Sequence, residues 1–74
     1  MVLEVRLFSY LRDGRGKVVT LDIKEGAVVT DVIKALEIGD DVVANILINN
    51  SDADFSFALK DGDSVSLFPL LAGG

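Results

Sequence analysis

The side chains that run most enzymatic chemistry at neutral pH are missing from this 74-residue chain, which has no histidine and no cysteine. Without His it lacks the commonest general base and metal ligand, and without Cys it lacks a nucleophilic thiol, thiolate ligands and disulfides. Carboxylates, lysines and hydroxyls remain, spaced as they are in turns. Asp61 and Asp63 bracket Gly62, a setting in which acids hydrogen-bond their own backbone. Asp40-Asp41 and the pair Asp52 and Asp54 read as solvated loop acids, without the loop spacing or bidentate Glu of a calcium site. Gly14-Arg15-Gly16 is too short to cradle a phosphate and lies in a hairpin rather than before a helix. No catalytic residue, metal ligand or bound cofactor is expected.

The end of the chain is the unusual feature. Gly73-Gly74 adds nothing to a core. Two readings stand: a frayed end, or a terminal carboxylate that is itself a substrate, carried on a tail slim enough to thread a narrow channel. The span Leu70 to Gly74, fully extended at ~3.3–3.6 Å per residue, reaches roughly 17 Å, enough to enter a partner's active site while the body docks outside. An α-carboxyl with a pKa of about 3.3–3.7 is ionised at neutral pH and is a poor electrophile, so acyl chemistry there needs activation by ATP.

The elements that must hold such a tail follow from periodicity. Leu3, Val5 and Leu7 alternate with Val2, Glu4, Arg6 and Phe8, which predicts a half-buried first strand. Asp13-Gly14-Arg15-Gly16 turns the chain, and Val19, Leu21 and Ile23 alternate in a second strand. Thr30 is the expected N-cap of a short helix carrying Val32, Ile33 and Leu36, with Gly39 as its C-cap. Val42 to Ile48 predicts a third strand and Asn49-Asn50-Ser51-Asp52 a turn. Phe55 and Phe57 either alternate in a short strand or send one ring into the core from an irregular turn. Lys60-Asp61-Gly62-Asp63 is a turn, and Ser64 to Phe68 is the last strand, with Val65 and Leu67 inward and Phe68 outward. Pro69 is expected to stop the ladder.

This order makes an α+β domain over residues 1–69, a β-grasp (ubiquitin-like) roll with one main helix on a mixed sheet, and a flexible Gly-Gly tail over 70–74. The helical crossover is expected to return the third strand beside the first two, and the first and last strands are expected to be neighbours. Phe8 and Phe68 then form an exposed aromatic pair beside Pro69, a partner-binding patch at the root of the tail.

Half of the residues are apolar, which predicts a globular fold, and the net charge is −5. From Glu37 onward, Glu37, Asp40, Asp41, Asp52, Asp54, Asp61 and Asp63 face Lys60 alone, so that half repels nucleic acid and anionic lipid and suits a basic partner surface. The first residues carry charges within their apolar run, and no stretch is long and apolar enough to span a membrane, so a soluble cytoplasmic location is expected.

The run Leu59-Lys60-Asp61-Gly62-Asp63-Ser64-Val65-Ser66-Leu67-Phe68-Pro69-Leu70-Leu71-Ala72-Gly73-Gly74 resembles the terminal signature of the ubiquitin-like sulfur carriers, Leu-x-Asp-Gly-Asp-x-Val followed by Phe-Pro-Pro-x-x-Gly-Gly. It is most similar to the small subunit of molybdopterin synthase. Val5 to Arg12 is similar to that family's first strand and turn, and Lys24 to Val32 to its entry into the helix. Leu70 stands where the second proline is usual, the helix is short, and Asn49-Asn50 replaces a common Asn-Gly.

The resemblance implies that Gly74 is adenylated and converted to a thiocarboxylate. Gly73, Ala72, Leu71 and Leu70 would form the tail, with Gly73 giving steric passage. The implied partners are a ubiquitin-activating-type adenylating enzyme, which uses ATP and Mg, and the large subunit of molybdopterin synthase or another sulfur acceptor enzyme. In the molybdopterin branch the sulfur goes to a pterin on that large subunit, whose lysines do the catalysis, so this chain is a carrier and not an enzyme. Two alternatives remain open: a ubiquitin-like modifier that forms isopeptide bonds through Gly74, and a β-grasp interaction domain with an inert tail.

Overall fold

A computed structural model describes residues 1–71. In β1 (Val2–Leu7) the expected alternation is realised: Leu3, Val5 and Leu7 are fully buried while Val2, Glu4 and Arg6 face solvent. β2 (Val18–Asp22) pairs antiparallel with β1, Leu3 opposite Leu21 and Val5 opposite Val19. β5 (Ser64–Pro69) runs parallel to β1 on its other side, Val5 beside Val65 and Leu7 beside Leu67. β3 (Val43–Ile48) and the two-residue β4 (Ser51–Asp52) complete a mixed sheet in the order β2-β1-β5-β3-β4.

The first and last strands are therefore neighbours, as expected, but β3 lies beside β5 and not beside the N-terminal hairpin. The reason lies in β5, where Val65, Ser66 and Leu67 are buried in succession. A strand covered on both faces belongs in the middle of a sheet, and β5 takes the open edge of β1. Asn49 and Asn50 make the tight β3–β4 turn, with φ of 50° and 70°; Asn is among the few side chains that tolerate this left-handed conformation.

α1 (Val29–Ala35) covers one face and buries Val29, Val32 and Ile33 against Leu3, Val5, Leu7, Ile46, Ile48, Val65 and Leu67. A helix of this length is marginal alone, so packing and its ends hold it. Both expected caps shift. Thr30 is the second helical residue, and Val28 occupies the cap position. There Asp31 Oδ2 accepts the Val28 N–H at 2.9 Å, and the Val29 and Thr30 N–H groups donate to the Phe57 and Phe55 carbonyls at 3.1 and 3.0 Å. The Phe55–Phe57 segment is thus neither a strand nor a core plug. Both rings stay partly exposed, and the backbone serves as the helix's N-terminal acceptor.

At the other end the left-handed residue is Glu37, with φ of 58°, and not Gly39. The Ile38 N–H reaches Ile33 O and the Glu37 N–H reaches Lys34 O, both at 3.0 Å, which is a Schellman closure. Arg15, from the β1–β2 connection, finishes the cap: its Nε donates to Leu36 O at 3.0 Å and its Nη2 to Glu37 O at 3.2 Å. Its Nη1 donates to Leu11 O at 3.2 Å, so one side chain ties the hairpin loop to the helix end. Because these are bonds from a charged donor at a partly buried site, Arg15→Ala should cost about 1–2 kcal/mol. In a domain this small that lowers the thermal midpoint by roughly 5–15 °C. An unchanged midpoint in a calorimetric scan would remove Arg15 from this role.

Candidate functional site

Of the two acids that bracket Gly62, Asp63 bonds its own turn as its spacing suggests and Asp61 does not. Asp63 Oδ2 accepts the Lys60 N–H at 2.8 Å within its own turn, while its Oδ1 accepts from Asn49 Nδ2 at 2.9 Å. Asp61 reaches further, accepting the Val2 N–H at 2.7 Å, and Gly62 N–H returns a bond to Val2 O at 2.8 Å. The turn is thereby pinned to the start of β1. Two hydrogen bonds from Ser56, first its hydroxyl at 2.8 Å and then its backbone N–H at 3.0 Å, hold the Asp54 carboxyl below the usual carboxylate range. Among the described residues no group of acids is placed to hold a metal ion. The described helix is too short and insufficiently apolar to cross a membrane.

The remaining candidate is the root of the C-terminal segment. β1 and β5 run parallel in register through Leu7 and Leu67, so the next residue on each strand, Phe8 and Phe68, emerges side by side on the face away from α1. The rings stack with centroids 4.2 Å apart and planes 13° from parallel. The expected aromatic pair is present, but each ring half buries the other rather than standing exposed. Arg12 lies against Phe8, its guanidinium carbon 5.5 Å from the ring centroid, and is fixed by a 2.8 Å bond from Nε to Leu7 O. An otherwise acidic chain thus carries a cation–aromatic stack where its terminal segment leaves the sheet.

Pro69 departs from expectation in two ways. One residue beyond Phe68 it turns to the core side, opposite Val43, and is buried, so it offers no surface to a partner. Nor does it end the ladder: Leu70 N–H donates to Val42 O at 2.8 Å. Donors alternate sides along a strand, so the missing Pro69 N–H falls on the β1 side, where pairing stopped at Leu7 and no acceptor awaits it.

Leu70 and Leu71 are both more than half exposed. The Leu70 carbonyl accepts the Tyr10 hydroxyl, from the 3-10 turn Ser9–Arg12. Leu70 therefore belongs to the body by its hydrogen bonds, and a fully extended chain from Leu71 to Gly74 would reach at most about 13–14 Å. Ala72, Gly73 and Gly74, including the expected acyl position, lie outside the described residues. The contacts of Tyr10 and Arg12 have no signature in the sequence, because their partners come from other parts of the fold.

Residues 5–74 match the ThiS family. The chain is 33% identical, over an alignment of 92 residues covering all of both chains, to small archaeal modifier protein 3 of Haloferax volcanii. Its fold superposes with a TM-score of 0.80 on a protein from Pyrococcus furiosus named as molybdopterin converting factor subunit 1, at 25% identity and with 96% and 99% of the two chains covered. A chain from the complex of subunits 1 and 2 of the Helicobacter pylori molybdopterin-converting factor gives a TM-score of 0.67 at 25% identity, with both chains covered completely. These agreements extend the terminal resemblance over the mixed sheet and its single described helix, which is the β-grasp arrangement. With the match running from β1 through Gly74, the chain belongs to the ThiS family of ubiquitin-like sulfur carriers.

Proposed function

We propose that this chain carries sulfur as a thiocarboxylate on Gly74 and delivers it to a pterin, as the small subunit of a molybdopterin synthase. The supporting observation is the tail root: a central strand runs into Leu70 beside the Phe8–Phe68 stack, so a partner gripping that patch receives the chain terminus at a set place. Gly74 carboxylate oxygen attacks the α-phosphorus of ATP-Mg on an adenylating enzyme and pyrophosphate leaves. A hydrosulfide-equivalent nucleophile then displaces AMP from the acyl carbon. None of these steps asks this chain for a general base, a thiol or a metal ligand. The two neighbours named for molybdopterin conversion favour the pterin branch, and the one solved with its second subunit favours a large-subunit partner.

The second reading is a protein modifier, favoured by the archaeal relative named as one. Both readings begin with activation at Gly74 and separate at the acceptor. Intact-mass spectrometry after incubation with a ubiquitin-activating-type enzyme, Mg-ATP and a sulfide source should show one oxygen replaced by sulfur. Supplying lysine-bearing proteins should leave that product unconjugated. Conjugates that survive thiol reductants would transfer the assignment to the modifier, and no mass gain with a competent activating enzyme would leave an interaction domain.

A further inference from the structure

Tyr10 is an oddly placed aromatic. Its residue is 42% exposed, so its ring does little for the core, yet its hydroxyl reaches Leu70 O, sixty residues along the chain. The turn that presents it is firmly built. Leu11 is buried to 2%, the Leu11 N–H bonds to Phe8 O and the Asp13 N–H to Tyr10 O, and Ser9 is held at a φ of 53°. On its other side Leu70 is bonded through its N–H to Val42 O. One residue is therefore gripped at both of its peptide groups, by β3 and by the 3-10 turn.

We propose that Tyr10 is a positioning residue for activation of Gly74, setting the direction in which the C-terminal segment leaves the body; this rests on the carrier reading above. A hydrogen bond to the Leu70 carbonyl orients the plane of the Leu70–Leu71 peptide and so restricts Leu70 ψ. Rotation about that bond swings everything beyond it. Holding this peptide fixes the direction from which Leu71 departs and so narrows the arc the carboxylate is drawn from. Leu70 stands where the family's usual run has a second proline, a residue with a locked φ and no N–H. Here two hydrogen bonds supply the restraint that the missing ring would have imposed.

The test compares the full chain with Tyr10→Phe, which keeps the ring and removes only the donor. With the activating enzyme, adenylation measured by ATP–pyrophosphate exchange should show kcat lowered about 3- to 10-fold, the population factor one ordinary hydrogen bond controls, and KM unchanged because the Phe8–Phe68 face is intact. Amide hydrogen exchange at Leu70 should accelerate by a similar factor while Val65 and Leu67 keep their rates.

A wild-type kcat in the variant overturns the proposal. So does a raised KM with kcat intact, which would make Tyr10 part of the docking surface, and so does faster exchange throughout β5, which would make its role merely structural. If the unmodified chain is not charged at all, the carrier reading falls and takes this role with it. A charged wild type with unaltered Tyr10→Phe kinetics removes the role of Tyr10 alone.

Discussion

A chain ending at Gly73 is expected to fold as the full chain does and to acquire sulfur at least about 100-fold more slowly. The fold should be indifferent because β5 ends at Pro69 and, among the described residues, the backbone bonds nearest the C-terminus are made by Leu70. Chemistry should not be indifferent. Removing one residue draws the carboxylate back by about 3.3–3.6 Å, and misplacing a reacting group by even ~1 Å can cost on the order of 100-fold. The anchored Leu70 sharpens this expectation, since a chain fixed to the body at Leu70 cannot slide forward to make up the loss. Intact-mass time courses of the two chains with the same activating enzyme make the comparison, alongside matching thermal midpoints. Equal rates of sulfur uptake would show that the acyl position is not Gly74.

Phe68→Ala is expected to weaken binding to the activating enzyme or to the acceptor subunit by roughly 30-fold, the scale of a truncated aromatic hot spot. It should also cost the domain about 1–3 kcal/mol, because Phe68 is half-buried and stacked on Phe8. Domains of this size hold roughly 4–11 kcal/mol, so the variant should remain folded and the binding loss should be readable by calorimetry. Phe8→Ala should weaken binding similarly, and the double variant should fall short of the sum, since the two rings bury each other. Full additivity would mean that the rings act separately, and unchanged affinity in a folded Phe68→Ala chain would move the docking face elsewhere.

Both expectations begin from features readable along the chain. Alternation over Val2–Leu7 and over Ser64–Phe68 assigned inward and outward faces correctly because a strand's side-chain direction is local, set by each residue's own extended backbone. The turn read over Asn49 to Asp52 is realised at Asn49-Asn50 alone, because Ser51 and Asp52 pair with Ile48 and Leu47 as β4, a pairing decided by the partner strand. The terminal run from Leu59 to Gly74 carried the family resemblance, and the match to the ThiS family over residues 5–74 bears it out. The helix caps were less legible. Thr30 and Gly39 have cap-like chemistry, but the acceptors at the helix start are carbonyls of Phe55 and Phe57, and the closing donor is Arg15.

By itself, then, the amino-acid order determined the four longer strands and the one α-helix, the faces of β1 and β5, and the lack of His and Cys side chains. Tertiary structure decided which strands lie together and therefore what surrounds the tail root: β5 beside β1, Pro69 turned inward, Leu70 held by Val42 and Tyr10, and Arg12 laid on Phe8. The physical reason is range. Periodicity and turn chemistry act over a few residues, whereas the bond from Tyr10 to Leu70 and that from Arg15 to Leu36 close gaps of 60 and 21 residues. Only a completed sheet, with its central strand buried on both faces, brings such partners within hydrogen-bonding distance.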